Sequence, residues 1–346
     1  CAAILGMSYF GEIKKGTLTL AWATAARNNY VSCHGGLKIF RKEGDSYVAS
    51  FFGLSGSGKS TLTHAKHDDK YDIEVLHDDA FVISVEDGSS VALEPSYFDK
   101  TNDYPAGHRE QDYFVTVQNC GVTLDENGRK VLVTEDIRNG NGRTIKSRYS
   151  TPNRVDKIQE PIQSIFWIMK DDALPPLVKI TDPRLASILG CTLMTKRSTA
   201  ENTGAGANLD ALVIEPYANP FRVYPLVEDY EKFKALFDKG VDCYIINTGD
   251  FLGKKVTKEV SLGVIETVVD GKANFELFGG LPGMEYLPVE GYEVPDMNGE
   301  YAELIRDRMQ FRLDYLKAFN DANPEHQIPQ DALESIKTIE RFIDVL

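Results

Sequence analysis

Residues 47–60 read Tyr47-Val48-Ala49-Ser50-Phe51-Phe52-Gly53-Leu54-Ser55-Gly56-Ser57-Gly58-Lys59-Ser60. An apolar, strand-length run is followed at once by G-x-x-x-x-G-K-[ST], the phosphate-cradling P-loop, with a helix expected from Lys59 onward. The glycines can take positive φ and let successive N–H groups turn inward onto an oxyanion. The helix start adds the positive end of its dipole. Lys59 should reach the outer phosphates of a nucleoside triphosphate, with the Ser60 hydroxyl on its metal. Read without a ligand, the same residues are a glycine-rich turn.

Working outward, strand-length apolar runs recur at Val31–Cys33, Val131–Val133, Ile165–Met169, Leu212–Ile214 and Tyr244–Ile246. Each is bounded by polar, Gly or Pro residues. Helical stripes lie between or after them. They are Tyr230, Phe233, Leu236 and Phe237 in 229–239, and Leu262, Ile265 and Val268 in 260–268. Two C-terminal helices are expected. Residues 300–320 carry Leu304, Ile305, Met309, Leu313 and Leu316, and 332–345 carry Leu333, Ile336, Ile339 and Ile343 after an Asp331…Glu334 start signal. The polar, turn-rich stretches 99–130 and 136–160, with Asn139-Gly140-Asn141-Gly142, read as loops around a sheet edge. Together these features predict an α/β fold with a mixed sheet.

The 346 residues carry a net charge of −14. That argues against nucleic acid or an anionic membrane as partner, since either needs a basic surface. It also repels ATP at long range, so lysines and bound metal must offset it locally. No apolar run reaches 18 residues, the length a membrane span requires. Cys1, Cys33, Cys120, Cys191 and Cys243 are scattered, without CxxC spacing. They read as reduced, buried thiols of a cytoplasmic protein. A start at Cys1 points to processing or to a piece of a longer chain.

Four further features could carry chemistry. Phe10-Gly11-Glu12-Ile13-Lys14-Lys15-Gly16 reads, alone, as a surface turn. His34 ends the run in Ser32-Cys33-His34-Gly35-Gly36, where a structural histidine is the plainer reading. Asp78-Asp79 follows Ile73-Glu74-Val75-Leu76, where a P-loop enzyme places its metal-holding acid and where an acidic turn is the alternative. Arg148, in Lys146-Ser147-Arg148-Tyr149, is uninformative by itself.

Joined, these residues resemble one family, the ATP-dependent phosphoenolpyruvate carboxykinases. Tyr9-Phe10-Gly11-Glu12-Ile13-Lys14-Lys15-Gly16, then His34, then Gly53-Leu54-Ser55-Gly56-Ser57-Gly58-Lys59-Ser60-Thr61-Leu62, then Asp78-Asp79 follow the family's order and spacing. Asp172-Ala173-Leu174-Pro175-Pro176 and Ile246-Asn247-Thr248-Gly249 resemble its later motifs, as does Leu287-Pro288-Val289 with Val294-Pro295. The resemblance implies a mixed-sheet P-loop domain of the carboxykinase C-terminal type, with C-terminal helices, over residues 1–346. Residues 1–30 would be the remnant of a substrate domain.

The implied reaction is oxaloacetate + ATP to phosphoenolpyruvate + CO2 + ADP, with oxaloacetate and phosphoenolpyruvate as small-molecule partners. Lys15, His34 and Asp79 are implied Mn2+ ligands; a lysine ligates only as the neutral amine. Lys59, Ser60 and Thr61, with the loop 53–58, are implied to hold ATP and Mg2+. Asp78 would orient metal-bound water, and Lys14 would stabilise charge on the moving phosphoryl group. Arg148 matches the arginine that bridges substrate and γ-phosphate, and Tyr9 the tyrosine beside the carboxylate. Lys255, Val256 and Ser261 fall at the adenine pocket.

There are departures. Ala80-Phe81-Val82-Ile83 replaces the family's Glu-His-Gly-Trp, and Lys59 lies several residues further from Asp78. A Gly-Arg-Ser-Pro-like segment that binds oxaloacetate is missing. A kinase on the same fold with a hydroxyl acceptor, and a non-catalytic ATP-binding module, are the alternatives these departures leave open.

Overall fold

The computed structural model describes residues 2–6, 10–100, 121–133, 143–145, 151–196 and 211–345. Their centre is an eight-stranded mixed sheet. Three parallel strands run through its middle: β3 (Asp45–Phe52), β8 (Ser164–Met169) and β10 (Asp242–Asn247). Antiparallel strands flank them. β2 (Gly36–Lys42) and β4 (Asp72–His77) extend one side. On the other lie β9 (Leu177–Ile180), β12 (Met284–Tyr286) and β11 (Glu276–Leu277). A second sheet orders β1 (Tyr30–His34), β5 (Ala80–Ser84), β6 (Ser90–Ala92) and β7 (Lys157–Ile158), all antiparallel.

Why the central strands read as unbroken apolar runs is plain from their packing. Along β8, Ile165, Trp167 and Met169 enter one core, while Phe166 and Ile168 enter another on the opposite face. A strand covered on both faces needs apolar residues at successive positions, not alternate ones. The first core is covered by α3 (Pro183–Cys191), α4 (Leu226–Asp238), α6 (Gly299–Ala322) and α7 (Gln330–Ile343), the second by α5 (Lys258–Val269). The expected stripes are buried in α4 and α7, and mostly so in α5 and α6, where Leu262 and Leu304 sit at the margin. The helix starts are chemically marked. Asp182 caps α3 by accepting from the Arg184 and Leu185 amides, with Pro183 first in the helix, and Thr257 caps α5 through the Val260 amide.

Some expectations are corrected. α7 begins at Gln330 behind Pro329, so Asp331 lies inside its first turn and caps nothing. Within 99–130 and 136–160 the described residues form paired strands as well as loops: Phe98–Lys100 pairs with Arg143–Ile145, and Val122–Leu124 with Lys130–Leu132. Asn139–Gly142 lies outside the described residues. Phe10–Gly16 is no surface turn. It opens α1 (Phe10–Arg27), an 18-residue helix seated on the second sheet. Leu18, Trp22 and Ala26 recur every four residues and are buried. The Trp22 indole donates to the Phe81 carbonyl at 3.3 Å, and Ser32 Oγ donates to the Trp22 carbonyl. Cys33, Cys191 and Cys243 are free and buried, as read from their scatter.

Candidate active site

The three parallel strands end side by side, and the segments after them touch. Residues 53–58 leave β3, Lys170 follows β8, and Thr248 follows β10. The Lys170 ammonium donates to the Gly56 carbonyl at 2.7 Å, and Thr248 Oγ1 donates to the Ser57 carbonyl at 2.7 Å. This carboxyl end of an open α/β sheet is where such folds bind ligands. The glycine-rich loop turns on a Ser57 N–H bond to the Leu54 carbonyl, with Gly56 and Gly58 at φ 74° and 99°. Gly53 is required by contact: a Cβ there would lie 2.4 Å from Ser57 Oγ and 2.9 Å from Ile168 Cβ. Helix α2 (Lys59–His64) follows, capped by Gly58 without a side-chain bond. It spans only 6 residues, so its dipole adds little to the loop amides. Ser60 and Thr61 are exposed on its first turn.

Asp78 and Asp79 occupy the turn between β4 and β5, where the two sheets meet. Their backbone is set by His77, whose Nδ1 accepts from the amides of both Asp79 and Ala80 at 3.0 Å. Nδ1 therefore carries no proton, and Nε2–H points to the Ser96 carbonyl at 3.3 Å. The two aspartates face different ways. Asp78 Oδ2 meets His64 Nε2 of α2 at 3.1 Å. Burial raises the Asp78 carboxyl, but the His64 hydrogen bond and the electrostatic pull of His64 and His77 together hold it at about 2.

Three nitrogen groups converge on Asp79. Lys14 Nζ lies 2.7 Å from Oδ2, and His34 Nε2 and Lys59 Nζ lie 3.1 Å and 3.8 Å from Oδ1. Burial pushes this carboxyl up, but His34, Lys59 and Lys14 together hold it well below the usual carboxylate range. Lys14 also meets Glu94 Oε2 at 3.2 Å. Burial would lower the Lys14 ammonium, yet Asp79 and Glu94 raise it above the ordinary lysine value. Burial lifts Glu94 to about 7 against the pull of Lys14.

Lys15, one residue on, points the other way, its ammonium 4.8 Å from the Phe221 ring centre. It shares a cavity of about 300 Å³ with His34, Asp79, Leu54 and Ser55, walled by Trp22 and Phe221. Thus Lys14, His34 and Lys59 meet on Asp79, Lys15 lines one cavity with His34 and Asp79, and Asp78 faces α2 through His64.

His34 carries the test for a metal. Its Nδ1 faces the Ala218 carbonyl and its Nε2 faces Asp79. Burial, and then the Lys59 charge, pull the imidazole below its ordinary value, against the upward pull of Asp79 and the Ala218 carbonyl. A neutral ring has one N–H, and the Ala218 carbonyl takes it. In that form Nε2 and Asp79 Oδ1, 3.1 Å apart, would suit a cation held by both. A ligand histidine that gives its other N–H to a carbonyl is the usual support for such a site. Among the described residues no cluster of three His, Cys, Asp or Glu side chains could hold a metal. Lys15 is the further nitrogen that lines the same cavity as His34 and Asp79.

Other expected residues fall elsewhere. Tyr9 and Arg148 lie outside the described residues. Lys255 donates to the Thr248 carbonyl at 3.0 Å, Val256 is buried, and Ser261 Oγ is turned onto the Thr257 carbonyl of its own helix. The strip is thus joined to the glycine-rich loop through Thr248. Sequence reasoning missed His64, His77, Glu94, Lys170 and Phe221, since each acts through a contact across the fold. Ala80–Ile83, where the family motif departs, is buried β5 paired with β1.

The chain is thus a mixed α/β protein with a glycine-rich loop and a lysine–histidine–aspartate cluster at the carboxyl edge of its sheet. The family model described as phosphoenolpyruvate carboxykinase matches residues 1–296, and the chain belongs to that family. A curated relative, the phosphoenolpyruvate carboxykinase (ATP) of Aeropyrum pernix, is 25% identical over 345 residues, covering 89% of this chain and 66% of the relative. The chain thus spans a little under two thirds of that relative's length. Among the described residues no helix is long and apolar enough to cross a membrane.

Proposed function

We propose that this chain is the nucleotide-binding, catalytic part of an ATP-dependent carboxykinase that converts oxaloacetate and ATP to phosphoenolpyruvate, CO2 and ADP. The observation that carries the reading is the meeting of Lys14, His34 and Lys59 on Asp79, beside both the glycine-rich loop and the Lys15 cavity. A generic nucleotide-binding module has no use for a second cation site there.

In the proposed mechanism the amides of 53–58, the Lys59 ammonium and the Ser60 and Thr61 hydroxyls hold the triphosphate and its Mg2+. Lys255, Val256 and Ser261 flank the base. Lys15, His34 and Asp79 would hold Mn2+, which supplies Lewis acidity toward the substrate oxygens when bound. The C–C bond to the departing carboxylate breaks, CO2 leaves, and its electron pair forms an enolate. The enolate oxygen then attacks the γ-phosphorus, and ADP departs. Lys14 follows the charge of the transferring phosphoryl group. Asp78, tied to α2 by His64, orients water of the metal shell. Tyr9 and Arg148 are proposed to contact the substrate carboxylate and bridge it to the γ-phosphate. Residues 1–30 are proposed as the end of a substrate domain, with the remainder a P-loop catalytic domain of the carboxykinase type.

The test is to incubate the natural full-length protein with oxaloacetate, ATP and Mn2+ and assay phosphoenolpyruvate. Formation that depends on both ATP and Mn2+ supports the reading. ATP turnover without phosphoenolpyruvate would replace it with a kinase on another acceptor.

A further inference from the structure

Lys38 is a fully buried lysine on β2, the strand next to the β4 edge of the main sheet. Its ammonium lies 4.6 Å from the Phe40 ring centre and 5.8 Å from that of Phe51. It donates to the Leu62 carbonyl at 2.7 Å and the Ala65 carbonyl at 3.1 Å, both at the carboxyl end of α2. Its third partner is His67 Nε2 at 2.9 Å. Burial, and then the Lys38 charge, lower His67 to about 4, so the ring is neutral and accepts through Nε2. His67 Nδ1–H is then left to donate to Glu266 Oε1 of α5 at 2.9 Å. Burial pulls the Lys38 ammonium down to about 7 against the pull of Glu266, and the two carbonyls and the imidazole nitrogen around it match the three N–H groups of its charged form.

The arrangement makes sense from the needs of α2. A helix of 6 residues is too short to stand by itself, and its last carbonyls have no partners within it. A hydrogen-bond donor at that end satisfies them, as Lys38 does at Leu62 and Ala65. The opposite end of the same helix carries Lys59, Ser60 and Thr61. The far end of the relay, Glu266, stands on the helix whose first turns carry Ser261.

We propose that Lys38 is a positioning residue for the nucleotide: through its bonds to Leu62, Ala65 and His67 it fixes α2 against α5 and so sets the two walls of the nucleoside triphosphate site. This rests on the nucleotide-binding reading above. It names a residue that touches neither phosphate nor metal.

The experiment compares wild type, Lys38→Met, Glu266→Gln and Lys70→Met. MgATP affinity is measured by calorimetry, Mn2+ affinity without nucleotide by electron paramagnetic resonance, and amide protection by hydrogen exchange. Lys38→Met should weaken MgATP binding at least about tenfold, leave Mn2+ affinity within about twofold, and speed exchange in 59–65 while the core strands stay protected. Glu266→Gln, which keeps the side-chain shape, should shift MgATP affinity and 59–65 exchange the same way by less. Lys70→Met removes the surface pairs of Lys70 with Glu266 and Asp270 and its contact over the Tyr71 ring, leaves the Lys38–His67–Glu266 bonds in place, and should change neither. If wild type binds MgATP and both Lys38→Met and Glu266→Gln match it in affinity and exchange, the proposal is overturned. Should Lys38→Met not fold, an unchanged Glu266→Gln overturns it alone. A wild type with no affinity for MgATP overturns the nucleotide reading itself, a result distinct from the others.

Discussion

Replacing Asp79 by asparagine removes one charge and little volume, and the contacts of the carboxylate set the cost. Oδ2 accepts from Lys14 at 2.7 Å, and Oδ1 faces His34 and Lys59. Asparagine keeps one acceptor and turns an NH2 toward the other partners. One charge-assisted bond is lost, a change of about 1.5–3 kcal/mol. Lys14 retains Glu94 at 3.2 Å, and 34% of the Asp79 side chain is open to solvent, which screens the pair. The lower part of the range applies, about 1.5–2 kcal/mol.

The sign with pH comes from the depressed folded-state pKa of Asp79. Its stabilisation is complete above the unfolded-state value of about 4 and is lost as pH falls through the folded-state value. Urea unfolding of wild type and Asp79→Asn should therefore show the full gap near neutral pH and a closing gap under acid. A gap below about 0.5 kcal/mol at neutral pH, or one that widens on acidification, would refute the picture of Asp79 as the counter-charge of the cluster.

Three other outcomes are expected. Lys59→Ala should lower kcat for phosphoryl transfer by about 100- to 1000-fold or more, read in a coupled ADP assay. His34→Ala should weaken Mn2+ binding by at least about tenfold in a metal titration; an unchanged Mn2+ requirement would remove His34 from the ligand set. Gly53→Ala places a methyl 2.9 Å from Ile168 Cβ, so the loop must shift, and MgATP affinity measured by calorimetry should fall about tenfold.

How much of this was legible in the sequence depends on how local each signal is. The glycine-rich loop comes directly after a strand, so its place at the sheet edge could be read from residues 47–60. The doubly covered strands announced themselves as unbroken runs such as Ile165–Met169. Helix α1 did not, because Gly11, Gly16 and the paired lysines suggest a turn, and only Leu18, Trp22 and Ala26 mark its buried face. The start of α3 is marked locally by Asp182-Pro183, a capping carboxylate followed by a proline. His77 is another matter. Its role is to hold two backbone amides of the next turn, which becomes visible only once β4 and β5 are placed. Lys38 is harder still. In sequence it is a polar residue in a strand, and nothing local says that its partners are carbonyls 24 and 27 residues away. The resemblance supplied Lys15, His34 and Asp79 as a set; the structure adds the closeness of His34 Nε2 to Asp79 Oδ1, 3.1 Å.

The central claim is that phosphoryl transfer at the glycine-rich loop is joined to loss of a carboxylate at the Lys15–His34–Asp79 space. The most direct measurement supplies [γ-32P]ATP, Mn2+ and oxaloacetate labelled in its departing carboxylate to the natural full-length protein, and counts products. The account predicts labelled phosphoenolpyruvate, CO2 and ADP in equal amounts. ADP formed without CO2, or CO2 released without labelled phosphoenolpyruvate, would contradict it.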